Sequence, residues 1–360
     1  MKPSIIDIYI IKKFLGTFFF SLLLILAITI IFDLSEKIDD FIEEEVPLNE
    51  IVFDYYLNWI PYFANLFSSL FIFITVIFFT SKMATHTEIV AILSNGVSFR
   101  RMLRPYIISS LFIAILSFFM GTYVIPPANK TRIEFDNKYL RTPYRDVSGN
   151  IHKQVRPGIF IYIQHYSAFS DVGHKFTMEH FEDGKLKSKL TADFIKWDTT
   201  KNKWNIRRYY IRNINGMEEE IVRGERTDTT LNVKPEDFKS RLDFVEAMNL
   251  TELNEYIEKV KMQGTENIVS YQFDKHSRFS YPFSIIILTI IGFSLSSRKV
   301  RGGIGMHIGL GILLSFTYIL FMRFSEMFAI GGLIPAVVAV WIPNTLYGII
   351  AFILFRQAPK

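Results

Sequence analysis

Four histidines, His152, His165, His174 and His180, crowd one polar stretch of the chain and are its most obvious metal-binding side chains. His174 and His180 are too far apart for one helical turn, and no second ligand pattern accompanies either, so surface histidines are the plainer reading. The chain has no cysteine, which removes disulfides, thiolate chemistry and cysteine-ligated metals. It contains no G-x-S-x-G, no H-E-x-x-H and no phosphate-cradling G-x-x-x-x-G-K-[ST]. It is therefore not expected to be an enzyme, to hold a metal or cofactor, or to hydrolyse a nucleotide by itself. What remains is charge at unusual depth. Arg323 and Glu326 lie one helical turn apart within an oily segment. Ionisable groups there either pair with each other or face a cavity.

Half of the 360 residues are apolar, 35 of them Phe, and the charged residues are dense only in the middle of the chain. That is one chain in two solvents. Segments Phe14–Phe32, Tyr56–Thr80, Tyr106–Ile125, Phe279–Leu295, Gly303–Phe321 and Leu333–Phe355 are long and apolar enough to span a bilayer. The first apolar run is too long, and lacks a following small-residue site, to be a cleavable signal. Gly305 and Gly309 form a G-x-x-x-G that would let another helix approach closely. Lys82, Arg100, Arg101 and Arg104 follow the second span, and Arg298, Lys299 and Arg301 the fourth, while Lys2, Lys12, Lys13, Arg356 and Lys360 mark the tails. The positive-inside rule then puts both termini and both basic loops in the cytoplasm, and the acidic loop "DLSEKIDDFIEEEVPLNE" and the middle region outside. The small net charge of +5 reflects this topology and gives no reason to expect nucleic acid.

The middle region, about 128–272, reads as short antiparallel strands cut by Asp-Gly, Lys-Asn and Asn-Gly turns, which suggests a sandwich, a jelly roll or a partly open barrel. A helix follows, with Leu253, Tyr256, Ile257 and Val260 on one face, Thr251 as its N-cap and Gly264 as its stop. The organisation expected is residues 1–127 with three spans, an inserted β domain at 128–272, and residues 273–360 with three more.

Between the second and third spans stands "THTEIVAILSNGV". Thr85-x-x-Glu88 has the form of a capping box, Ile89, Ile92 and Leu93 fall near one face, and Asn95-Gly96 supplies a left-handed stop. The spacing predicts a short helix at about 85–97. It either rests on the lipid interface or offers a knob to a cytoplasmic partner that does work the chain cannot do.

These stretches together resemble one family over nearly the whole chain, the lipopolysaccharide-transport permeases LptF and LptG. "IIDIYIIKKFLGTF" is similar to the family's first span, "THTEIVAILSNG" to its coupling helix with Glu88 and Gly96, and "YVIPPANKTR" to its exit from span three. "YPFSIIILTIIGFSL", "RGGIGMHIGLGILLSFTYI" and "GLIPAVVAVWIPNTLYGIIAFILFR" resemble spans four, five and six, and the glycine-rich fifth span is more like LptG. The resemblance implies a polytopic α-helical membrane protein of six transmembrane helices, three plus three, with an inserted periplasmic β-jellyroll-like domain. It implies residence in a bacterial inner membrane and pairing with a paralogous permease. It also implies a cytoplasmic ATPase dimer of the LptB kind that uses the ATP, and a periplasmic bridge of the LptC/LptA kind.

On this resemblance Glu88, Ile89, Ile92, Leu93 and Gly96 would dock the ATPase. Lys37, Arg132 and Arg323 would hold the anionic lipid headgroup, and Phe160, Tyr162, Phe176 and Phe194 would line an apolar groove for acyl chains. Spans one and five would form the lateral gates. The sequence departs from the family in having Ile30 and acidic Asp33 and Glu36 where a basic residue is usual, with Lys37 the first base. A membrane-anchored periplasmic scaffold without transport is the other reading. An intramembrane enzyme is disfavoured, because no paired carboxylates, H-E-x-x-H or Ser/Lys dyad lies within a span.

Overall fold

The computed structural model describes residues 4–140, 147–167, 170–238, 245–263, 268–297 and 303–358. Arg298, Lys299, Arg301, Lys2, Lys360 and Gly264 lie outside these ranges. The chain divides into two compact units. One comprises Met1–Phe135, Glu246–Leu250 and Val269–Lys360, the other Asp136–Val245 and Thr251–Ile268.

Among the described residues α1 (Ile5–Glu43), α2 (Leu48–Thr85), α4 (Phe99–Leu140), α6 (Ile268–Ser296), α7 (Gly303–Ile330) and α8 (Ala336–Gln357) are six helices long and apolar enough to cross a membrane, and they belong to the first unit except for the end of α4 after Phe135 and Ile268 of α6. α1 starts in a closed capping box: the Ser4 side chain accepts from the Asp7 amide, and the Asp7 carboxylate accepts from the Ser4 amide. α2 and α4 widen locally into π turns at Ile51–Tyr56 and Met120–Val124. In α2 the Asn58 amide donates to the carbonyls of Phe53 and Asp54 at 2.8 and 3.0 Å, as lipid-embedded backbone requires.

α6 and α2 form the centre, with 61 and 50% of their most apolar stretch buried, whereas α1 and α7 are least covered at 22% each. Small residues set the close contacts. A Cβ on Gly311 of α7 would stand 2.4 Å from Ile77 of α2, and one on Gly292 of α6 would stand 3.0 Å from Phe73 and Val76. Gly305 and Gly309, expected to admit a neighbour, have nothing within 4 Å of where a Cβ would stand. Sequence spacing alone does not say which azimuth of α7 meets α2. Buried polar groups tie α6, α7 and α8 together: Tyr318 donates to the Asn344 side chain at 2.9 Å, and Asn344 donates to the Ser280 carbonyl at 2.9 Å.

Among the described residues the second unit is built on one antiparallel sheet of six strands in chain order, β1 (Val147–Arg156), β2 (Ile159–Ser167), β3 (Val172–Glu182), β4 (Lys185–Asp198), β5 (Lys203–Asn215) and β6 (Glu218–Thr229). The jellyroll-like β domain inserted between the helical halves is thus present, built as an up-and-down meander. The Asp183-Gly184 turn has positive φ at both residues (49° and 73°), which matches the twist of the strands it joins.

The sheet bends along one row. Positive φ at Asn150 (56°), Lys175 (52°) and Arg208 (48°) falls at the same register level on β1, β3 and β5, opposite Gln164 and Asp193. Across this row the buried positions are three apart instead of two, at Ile163 and Tyr166, Gly173 and Phe176, and Ala192 and Ile195. Because neighbouring strands shift together, the pairing register is kept while the apolar face turns a corner. That face holds Trp204, whose indole N–H donates to the Val233 carbonyl at 2.8 Å, with Phe176, Ile206 and Phe238 around it. At its margin, buried Lys153 donates to the Asp237 carbonyl at 2.5 Å. Burial pulls its pKa below the usual lysine value, an effect that Asp237 opposes and Lys259 reinforces.

The amphipathic helix of this region is α5 (Leu250–Gln263). Leu253, Ile257 and Val260 are buried as the spacing predicts. The helix begins at Leu250, so Thr251 stands inside it and not at its cap.

Candidate functional site

Two polar constellations stand at opposite ends of the membrane helices. At one end, α2 stops at Thr85 and the short helix α3 (Glu88–Ser94) follows before α4. The Thr85–Glu88 capping box does not form. Thr85 instead donates to the Ser81 carbonyl at 2.9 Å, closing the last turn of α2, and the residue before α3 is Thr87 at φ 59° with no side-chain cap. The stop is as expected: Gly96 (φ 83°) donates to the Leu93 carbonyl and Val97 to the Ile92 carbonyl, a paired arrangement that satisfies the helix's last carbonyls.

The apolar residues of α3 do not form the free face. Ile89 is buried, and Ile92 and Leu93 pack half-buried against the same cluster that holds Ile10, Phe14, Phe99 and Met102. The exposed side carries Val90, at 62% exposure, with Ala91, Ser94, Asn95 and Gly96. Glu88 is half-buried and accepts a hydrogen bond from the Tyr9 hydroxyl at 3.4 Å. Of the five residues singled out on the sequence, Gly96 and part of Glu88 are on the surface. Ile89, Ile92 and Leu93 hold the helix down, because a seven-residue helix is not stable by itself and must be packed from one side.

At the far end, the cations are engaged. The Lys37 ammonium lies 2.8 Å from Asp33 on the same helix, and it contacts the hydroxyl of buried Tyr55 as well as its ring at 4.6 Å. Tyr55 also donates to Asp33 at 3.0 Å. The Arg132 guanidinium lies over the Tyr62 ring at 5.8 Å, and its Nε is buried with no hydrogen-bond partner among the described residues. Arg323 pairs with Glu326 at 2.9 Å, with its side chain 72% exposed. Arg132, Arg323 and Glu246 all act electrostatically on the Tyr62 hydroxyl, which donates to Glu246 at 3.4 Å. Arg132 and Arg323 therefore share a neighbourhood around Tyr62, whereas Lys37 belongs to an aromatic layer of Tyr55, Phe41 and Phe135 beside it.

The four aromatic residues expected in one groove are divided. Phe176 is fully buried on the core face of the sheet. Phe160 and Tyr162 are on the opposite face, where they line a cleft of about 420 Å³ with His152, Thr177, Glu179 and Lys189. Phe194 lies past the bend, under the guanidinium groups of Arg207 and Arg208 at 5.7 and 5.8 Å. Alternation along each strand gives these faces correctly, but the row of positive φ reverses its phase. His165 and His174 face each other across β2 and β3 with ring centroids 6.1 Å apart. Among the described residues no group of three or more His, Cys, Asp or Glu side chains is placed to hold a metal ion.

Six apolar helices, a β domain inserted between the third and the fourth, and a short packed helix between the second and the third make a distinctive chain order. Over residues 8–357 the sequence matches the model of the family described as lipopolysaccharide export system permease LptF/LptG. The chain belongs to the LptF/LptG permease family. That family model spans both paralogues. No curated protein sequence matches the chain significantly. As an LptF/LptG permease it is a multi-pass membrane subunit with a role in lipopolysaccharide export.

One pair of functional interest escaped the sequence reading. Arg101 and Asp7 form a two-pronged ion pair beside α3, with both contacts at 2.6 Å. Nothing in the spacing of the residues points from Asp7 to a partner 94 residues away.

Proposed function

We propose that this permease pairs with a paralogous permease, extracts lipopolysaccharide from a bacterial inner membrane and passes it to a periplasmic bridge, worked by a separate cytoplasmic ATPase dimer. The observation that carries the reading is α3. It is packed on one side, free on the other, and flanked by exposed Lys82, Arg100 and Arg104, the charge pattern of a cytoplasmic turn. The termini then lie in the cytoplasm and the β domain in the periplasm. The low coverage of α1 and α7 supports their role as lateral gates, since a helix that must part from its neighbours needs few contacts with them.

At the far end, Arg132 and Arg323 with Lys37 receive the anionic headgroup. Lys37 and Arg323 exchange their carboxylate partners for lipid phosphate, and the buried Nε of Arg132 gains an acceptor it lacks. Acyl chains, which water must not reach, are shielded by the apolar face of the β domain around Phe176 when the bent sheet opens. The outer-face residues Phe160 and Tyr162, and Phe194 beyond the bend, then border that path and do not line it.

Replacing Arg132 and Arg323 together by Glu is expected to weaken lipopolysaccharide binding to the purified permease by about tenfold or more, the scale of losing one or two charge-assisted contacts. The deficit should widen as salt is lowered, because reversed charges then repel over a longer range. Parent-like binding at low salt would place the headgroup elsewhere.

A further inference from the structure

The contacts beside α3 join three elements that the chain separates. The Arg101 guanidinium donates from Nη1 and Nη2 to the two carboxylate oxygens of Asp7, each at 2.6 Å, and Nη2 also reaches the Ser4 hydroxyl at 3.4 Å. Asp7 is in the first turn of α1. Arg101 is in the first turn of α4, where Ser98 caps the helix and accepts from the Arg101 amide. A second link, from the Tyr9 hydroxyl to Glu88, ties the same turns of α1 to the first residue of α3. Beneath both links, Ile10 and Phe14 of α1 share one apolar cluster with Ile89, Ile92 and Leu93 of α3 and Phe99 and Met102 of α4.

An exposed ion pair adds little to stability. This one differs in kind. The Asp7 side chain is 9% exposed and fully engaged, and a planar fork on a carboxylate fixes direction as well as distance. Its position matters more than its energy. α1 runs unbroken from Ile5 to Glu43, about 58 Å at the usual helical rise, and carries the Asp33–Lys37–Tyr55 group in its far quarter. It is also one of the two least covered spans, so it is free to move as a lever.

We propose that Asp7 and Arg101 are positioning residues that clamp α1 to the first turn of α4 and so, across the four-residue turn 95–98, to α3, so that a displacement of α3 by the ATPase is delivered along α1 to its far end. This rests on the permease reading above. Apolar packing alone would let α3 slide over α1. Because α4 starts only four residues after α3, the fork that holds α1 to the first turn of α4 adds the directional restraint that converts a push into a tilt.

The chain has no cysteine, so cysteines can be placed freely. In the full chain in nanodiscs, spin labels at Val90 of α3 and Leu23 of α1, both exposed, report the distance between the two helices. The parent should give a narrow distribution. Asp7→Asn or Arg101→Ala should broaden it at least twofold, and the exchanged pair Asp7→Arg with Arg101→Asp should restore it. In a second arm without labels, lipopolysaccharide released per ATP hydrolysed with the partner ATPase should fall several-fold in the single variants. It should stay at the parent value when a reducible bis-methanethiosulfonate cross-linker ties Asp7→Cys to Arg101→Cys.

Single variants with the parent's narrow distribution, or a parent already broad, would overturn the proposal. So would a locked pair that stops release until it is reduced, since the pair would then have to open. If the parent itself releases no lipid on ATP hydrolysis, the permease reading fails, and the distance arm still decides whether Asp7 and Arg101 join the two helices.

Discussion

Val90→Glu is expected to strip the permease of its cytoplasmic ATPase while leaving the chain folded and inserted. Val90 is 62% exposed on the outer side of α3, beside Ala91, Ser94, Asn95 and Gly96, and none of the described residues covers it. A charge forced into the centre of an apolar contact costs about 2 kcal/mol or more, so co-purification should fall more than about tenfold. Ile89→Ala should behave differently. That side chain is 3% exposed, and truncating a buried isoleucine costs about 2–5 kcal/mol of stability. It should lower the melting temperature of the isolated chain even with no ATPase present. Glu88→Lys, which also loses the Tyr9 contact, should uncouple ATP hydrolysis from lipid release more than it weakens binding. If Val90→Glu retains the ATPase and Ile89→Ala loses it without any change in melting, the docking face is the opposite side of the helix.

Gly311→Leu should be the most damaging single substitution within the spans, and Gly309→Leu two residues earlier should be nearly silent. A side chain at 311 would begin 2.4 Å from the Ile77 Cδ1, with the Phe73 ring behind it, whereas 309 opens onto space. Overpacking a close helix contact costs about 1–3 kcal/mol, and more where backbones must part. Ile77→Ala should rescue much of the loss, because the clash is with a single side chain. Thermal unfolding of the four proteins in detergent gives the test. A destabilised Gly309→Leu alongside an unaffected Gly311→Leu would mean that α7 presents its other face to α2.

The plan of the molecule was legible because the bilayer enforces it. Twenty-residue apolar runs have few alternatives to helices, since lipid offers the backbone no other hydrogen-bond partner. The Asp183-Gly184 turn and the Gly96 stop were legible for a similar reason, since each needs a positive φ that a suitable residue advertises. The bend of the sheet gave no such notice. It rests on Asn150, Lys175 and Arg208, and two of these are residues seldom chosen for a left-handed turn. Its effect was to turn Phe194 off the core face, whereas Phe160 and Tyr162 are parted from Phe176 by ordinary alternation, Tyr162 standing opposite Thr177 and Ile163 opposite Phe176.

The partners of the cations were hidden for another reason. A lysine at the end of a span looks free in sequence, but Asp33 one turn before it and Tyr55 from the next helix reach it in the fold. At α3, periodicity found the apolar face but could not say whether a partner or the chain itself covers it. The depth of Ile89 shows that the chain itself covers that face, which leaves Val90 and its neighbours as the side a partner would meet.

The most direct test of the account is ATP-driven lipid transfer by the assembled transporter. The chain would be placed in proteoliposomes with a paralogous permease, the cytoplasmic ATPase dimer and lipopolysaccharide, and a periplasmic bridge protein would be offered outside. ATP is expected to move lipopolysaccharide from the liposomes onto the bridge, and leaving out this chain should abolish the transfer. Transfer that continues without the chain, or a chain that binds the bridge yet moves no lipid on ATP hydrolysis, would contradict the account and leave a membrane-anchored scaffold in its place.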